Sequence, residues 1–214
     1  MSGRSPRWIP SKLRTRLSDL EIGSTIKLNE GGSPVEFYVA KHDYEPELNG
    51  NGRTLLVRKD CYDERPFGSN NAFSGSSIDT WLNNTWLKLL DANVQTAISA
   101  TIFYYTPGNG NNTVTTLQRA VFLLSATELG KSASFANTEG TALSSAVCNQ
   151  LAIAYRNGSP VTQRTRTPST YNTAYACYLD TSGDLNAKYC SFSYGSRPTF
   201  TLPSDFLVTN DMLA

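Results

Sequence analysis

The chain has 214 residues, enough for one medium domain that buries a real core. Its formal net charge is +1 and only 17% of its residues are charged, so neither nucleic acid nor an acidic membrane is an expected partner of the body. It has no apolar run of about eighteen residues, so no membrane insertion is expected, and the N-terminal stretch lacks the apolar region of a secretory signal.

Residues 1–16 read as a basic arm or linker, with Arg4, Arg7, Lys12, Arg14 and Arg16 interrupted by Pro6 and Pro10. Thr25–Leu28 and Val35–Lys41 predict two strands separated by the turn Asn29–Pro34, and Thr54–Lys59 predicts a third, mostly buried. Asp63–Ser76 reads as irregular. Ser77 is the expected cap of a helix whose apolar positions are Ile78, Trp81, Leu82, Trp86 and Leu89–Leu90, and Ala92–Ile98 predicts a second short helix. Thr101–Tyr105 reads as a strand, and the apolar run Ala120–Leu124 as a central one. Ser125-Ala-Thr-Glu128 has the capping-box pattern of a short helix that Gly130 closes. Leu143–Tyr155 reads as partly helical. Tyr175–Asp180, the turn Thr181–Asp184 and Thr199–Leu202 complete the reading. Strands and helices occur without the alternation of a parallel sheet, so the fold class is α+β.

Little in the chain invites catalysis. The single histidine, His42, reads as a surface residue, and no nucleophile elbow, zinc-protease motif or phosphate loop is present. The carboxylates Asp43, Glu45 and Glu47, and Asp60, Asp63 and Glu64, are oxygen donors of the kind calcium prefers, but they match no calcium-binding loop and read as solvated. No cofactor is expected, a structural calcium ion being the one open alternative. The four cysteines, Cys61, Cys148, Cys177 and Cys190, lack zinc spacing and read as free thiols. Cys177 and Cys190 flank an expected hairpin.

The segment Ser169–Tyr194 stands apart. It holds five of the eleven tyrosines, Phe192, many small polar residues, one lysine (Lys188), and no Trp, Glu, Gln or Met. Tyrosine supplies broad amphipathic contact area at low rotamer cost, and small polar residues supply adaptable hydrogen bonds, which is the composition of binding loops.

The order of several segments resembles a prophage-encoded, tail-associated domain family. They are Leu17–Lys27, Leu55–Asp60, Ser77–Asn83, Val121–Gly130, Arg166-Thr-Pro168 and Tyr194-Gly-Ser-Arg-Pro198. The ending is similar to the C-type-lectin-like fold of formylglycine-generating enzymes and of the variable proteins of diversity-generating retroelements. The resemblance implies a loop-rich domain over residues 17–214, built of short, mostly antiparallel strands and two or three helices, with a variable ligand-binding region at about 164–200. It implies contact positions at Tyr171, Asn172, Tyr175, Tyr178, Asn186, Tyr189, Ser191 and Ser193, and scaffold at Arg166, Pro168, Gly183, Gly195, Arg197 and Pro198. Gln163-Arg164-Thr165 and Cys177 stand where relatives commonly carry aromatics, which leaves diversification and drift both open.

The function so implied is non-enzymatic receptor binding and host adhesion on the virion, in a phage tail protein made in the bacterial cytoplasm. Its expected partners are a host-surface protein or glycan and other tail subunits, with a homo-oligomer also open. The alternatives are a structural tail or baseplate module, and an oxidoreductase of the formylglycine-generating type. The latter is disfavoured because Cys177 and Cys190 are thirteen positions apart, not closely paired.

Overall fold

The hairpin that opens the larger sheet is set by two glycines. Thr25–Glu30 and Ser33–Lys41 pair without a gap across Gly31-Gly32, whose φ angles of +61° and +82° suit a two-residue turn that other residues resist. Both strands therefore run further than expected, and the turn is correspondingly shorter. In this computed structural model, which describes residues 14–213, the hairpin belongs to a five-stranded antiparallel sheet. Its order is Thr25–Glu30, Ser33–Lys41, Arg53–Arg58, Thr199–Pro203 and Val121–Phe122.

A second five-stranded sheet has the order Leu185–Tyr189, Tyr175–Leu179, Gln163–Pro168, Ser193–Gly195 and Glu64–Pro66. It is antiparallel except where Gln163–Pro168 meets Ser193–Gly195. The strand Glu64–Pro66 falls inside the stretch expected to be irregular, because its pairing partner lies far along the chain. Among the described residues, three two-stranded pieces and four short α-helices, Pro46–Asn49, Ser77–Asn84, Ala92–Ala97 and Ser145–Ala152, complete a mixed α+β architecture. Arg14–Arg16 is not part of a free arm: it forms a strand paired with Leu207–Thr209. Arg4, Pro6, Arg7, Pro10 and Lys12 lie outside the described residues.

The core is aromatic at its centre. Phe37, Trp86 and Phe200 are fully buried, with ring centroids 5.6–6.4 Å apart. Phe103 stacks on Phe122 at 4.4 Å. The Trp86 indole N–H donates to Glu30, which also forms a bidentate pair with Arg58, so the polar atoms that enter this core are satisfied.

Local signals were mostly obeyed, with four further corrections, the first being that the helix begun at Ser77 stops at Asn84 and Trp86–Leu89 forms a separate 3-10 turn. Ser76, not Ser77, caps the helix Ser77–Asn84, its hydroxyl accepting the Asp79 N–H at 3.2 Å. Of the run Ala120–Leu124, only Val121–Phe122 forms a strand, and it lies at a sheet edge. Ser125 and Glu128 make both reciprocal capping-box bonds, at 3.0 and 2.8 Å, yet no helix follows. The Glu128 carboxylate is also bonded to Arg166 and Tyr44, so the box serves as an anchor for a buried network.

Candidate functional site

The strand Gln163–Pro168 is polar in sequence, yet all six residues are buried. Burial is tolerable because its side chains find partners. Gln163 donates to the Leu151 carbonyl at 2.6 Å and Thr165 to that of Cys177 at 3.1 Å. Thr167 donates to Glu139 at 2.6 Å. Arg166 reaches Glu128 at 2.6 Å and the carbonyls of Leu123 and Tyr104. Burial depresses the Arg166 pKa, but Glu128, Tyr44 and Glu139 together outweigh it and the net shift is upward.

Arg164 differs from Arg166 in having no carboxylate partner among the described residues. Its guanidinium donates to three main-chain carbonyls, of Ala176 at 3.0 Å, Tyr189 at 2.7 Å and Phe192 at 3.1 Å, while its Nε is buried without a partner. Burial pushes its pKa down. The cation sits 4.4 Å from the Tyr194 ring centroid and 6.0 Å from that of Tyr178, its register partner on the next strand.

These contacts organise a continuous chain of aromatic rings. Tyr175 meets Tyr189 edge-on at 4.7 Å, Tyr189 meets Phe192 at 5.8 Å, Phe192 meets Tyr194 at 6.4 Å, and Tyr194 meets Tyr178 at 4.5 Å. Register explains the first contact, since Tyr175 lies directly opposite Tyr189. The Tyr175 phenol is pushed up by its hydrogen bond with Tyr189, and that of Tyr178 by burial and by Tyr194. Tyr189 and Phe192 remain 45% and 43% exposed, so the chain of rings opens to solvent. Lys188 is exposed beside it, its ammonium 5.9 Å from the Phe192 ring.

Of the expected contact positions, Tyr171, Asn172, Tyr189, Ser191 and Ser193 are exposed, while Tyr175, Tyr178 and Asn186 are half-buried. Asn186 is held by Asp180 at 3.0 Å. Tyr171, the most exposed at 71%, makes its ring contact with Phe135 and not with the chain of five. Its loop is pinned from below by Asn71, which is buried and donates to the carbonyls of Ser169 and Asn172 at 2.9 and 3.1 Å.

The expected scaffold residues are buried. Gly195 stands where a Cβ would lie 2.5 Å from Cys61 Sγ and 2.7 Å from the Thr162 carbonyl oxygen. Gly183 has φ +83° at the hairpin turn. Arg197 donates to the Leu151 carbonyl and to Gln163, and Pro198 and Pro168 are enclosed.

Sequence reasoning missed Arg164, Asn71, Phe192 and Tyr194. Phe192 and Tyr194 carried a signal, since both lie in the tyrosine-rich segment. Arg164 was marked only as a departure from the aromatics that relatives carry there, and Asn71 carried no signal, because an isolated polar residue looks solvated until its long-range partners are known.

The other candidate groups are drawn into structural roles. His42 is half-buried, Nε2 donating to the Leu20 carbonyl and Nδ1 facing the Thr54 hydroxyl, both at 2.9 Å, so it is not the open surface residue expected. Burial tends to raise the Asp63 pKa, but hydrogen bonds from Arg65 and Ser196 outweigh it and the net shift is downward. Among the described residues, no group of three or more His, Cys, Asp or Glu is arranged to hold a metal ion. All four cysteines are free. Burial pushes Cys177 up to about 12 and both Cys61 and Cys190 up to about 11.

A family model described as a domain of unknown function, DUF6273, matches residues 51–204. The chain belongs to the DUF6273 family. The matched stretch runs from the strand Arg53–Arg58 to Thr199–Pro203 and contains the whole second sheet with its aromatic rings. No curated protein and no solved structure matches this DUF6273 chain.

Proposed function

We propose that this DUF6273 protein is a non-enzymatic recognition protein with a C-type-lectin-like fold, which presents its C-terminal aromatic surface to a host-surface protein or glycan. In this reading it is a phage tail-associated adhesion protein, similar to the variable proteins of diversity-generating retroelements. The observation that carries the reading is the continuous ring chain Tyr175, Tyr189, Phe192, Tyr194 and Tyr178, open to solvent at Tyr189 and Phe192. Aromatic rings held on a rigid support give large contact area with little loss of rotamer entropy, and such residues dominate binding energy where they are found. The support is rigid because the buried strand beneath it spends its polar atoms on main-chain carbonyls and buried carboxylates. Upshifted, buried thiols at Cys177 and Cys190 favour this reading over a thiol oxidoreductase.

Replacement of Tyr171, Tyr175 and Tyr189 together by Ala tests the reading by adsorption to host cells. Adsorption should be lost while the melting temperature stays within a few degrees of the parent protein. Full adsorption by the triple variant would sink the proposal.

A further inference from the structure

A cleft of about 480 Å³ that shares no residue with the aromatic surface is lined by Lys41, Glu45, Glu47, Tyr104, Val114 and Thr141, among others. Its innermost charged group is the Glu45 carboxylate, whose side chain is only 7% exposed. Glu45 is placed there by an unusual main chain. It occupies the left-handed region at φ 45° and ψ 63°, and Asp43 has φ 49°. Between them Tyr44 is driven fully into the core, where its hydroxyl donates to Glu128. Gly140 permits the close approach on the other side, since a Cβ there would stand 3.2 Å from Glu45 Oε1.

The carboxylate so placed is under-used. Oε1 accepts the Thr141 N–H at 3.4 Å and lies 3.9 Å from Lys41 Nζ, both long, and no described residue donates to Oε2. A carboxylate has about four acceptor sites. The local charge is also unbalanced. Behind the cleft Glu128 and Glu139 are wholly buried around Arg166, so with Glu45 three carboxylates face two cations, Arg166 and a quarter-exposed Lys41.

A ligand that suits this cleft must both donate a hydrogen bond and carry positive charge. A hydroxyl meets only the first need and a quaternary ammonium only the second. A guanidinium fork is best matched by two accessible carboxylate oxygens, whereas a compact ammonium needs one. We propose that the cleft binds a small primary alkylammonium ion, its head on Glu45 Oε2 and its chain along Tyr104 and Val114. Such a site is separate from the recognition surface, so either can fail without the other.

The test is an amide NMR titration of the full chain with n-butylammonium chloride at neutral pH and constant ionic strength, alongside n-butanol and tetramethylammonium. Saturable shifts at the amides of Glu45, Gly140 and Thr141 are expected with n-butylammonium alone. E45Q should weaken the interaction about tenfold or more, and K41M, which removes a competing ammonium, should tighten it. Equal response to n-butanol or tetramethylammonium, no saturable shift at those amides, unchanged affinity in a folded E45Q, or an affinity that does not rise in K41M would each overturn the proposal. Should E45Q fail to fold, the K41M comparison decides.

Discussion

Arg164 donates to the carbonyl of Tyr189 at 2.7 Å, across 25 residues of chain, and so ties the buried strand to the exposed end of the aromatic hairpin. The same guanidinium holds the Phe192 carbonyl and lies against the Tyr194 and Tyr178 rings, so one buried cation supports four of the five ring residues. It acts through main-chain geometry and ring contact, and no paired carboxylate among the described residues offsets its charge.

Arg164→Met keeps most of the side-chain volume but removes every donor, leaving buried carbonyls short of partners. Each such loss costs about 1–3 kcal/mol, and part of it is recovered by dropping an uncompensated buried charge. We expect a net destabilisation of about 2–3 kcal/mol in urea titration, together with a reduced near-ultraviolet dichroism signal from the tyrosines. An unchanged spectrum and midpoint would show that Arg164 does not organise the rings.

Glu139 is wholly buried, and burial raises its pKa above the ordinary glutamate value of 4.5 despite Arg166 and the Thr167 hydroxyl. Burial raises Glu45 in the same direction. A carboxyl whose folded pKa exceeds its unfolded one binds its proton more tightly in the native state. Its stabilising contribution is full below pH 4.5 and is lost as pH rises through the folded value. Urea midpoints taken at increasing pH should show this loss in the parent protein, and E139Q should flatten it. An identical slope in E139Q would remove Glu139 as its source.

At Gly195 the obstacle is steric. An added methyl would meet Cys61 Sγ at 2.5 Å and the Thr162 carbonyl oxygen at 2.7 Å. Gly195→Ala should cost about 2 kcal/mol or more, as overpacking in a tight core does. Adding Cys61→Ala should recover only part of that, because the Thr162 main chain stays in place. Full recovery would mean that the sulfur is the sole obstacle.

Thiol modification by a disulfide reagent provides an independent check on the packing. Cys148 is half-buried, whereas Cys61, Cys177 and Cys190 are enclosed and resist ionisation. One thiol should react readily in the native protein and all four after unfolding in denaturant. Fast native reaction at Cys177 or Cys190 would revive redox chemistry at the hairpin.

What the sequence determined by itself was local. The Gly31-Gly32 hairpin, the helix near Ser77, the Tyr175–Tyr189 hairpin around Gly183 and the unusual composition of Ser169–Tyr194 all depend on residues within a few positions of one another. So did the α+β class. Even a correct local signal could be redirected, as at Ser125–Glu128, where the capping bonds form but the carboxylate is claimed by Arg166, 38 residues away. Only the tertiary structure decided that Gln163–Pro168 is buried, that Asn71 supports the Tyr171 loop from 101 residues away, and that five rings make one continuous surface. The physical reason is that a polar side chain is buried or solvated according to whether partners await it, and those partners belong to segments that only folding brings together.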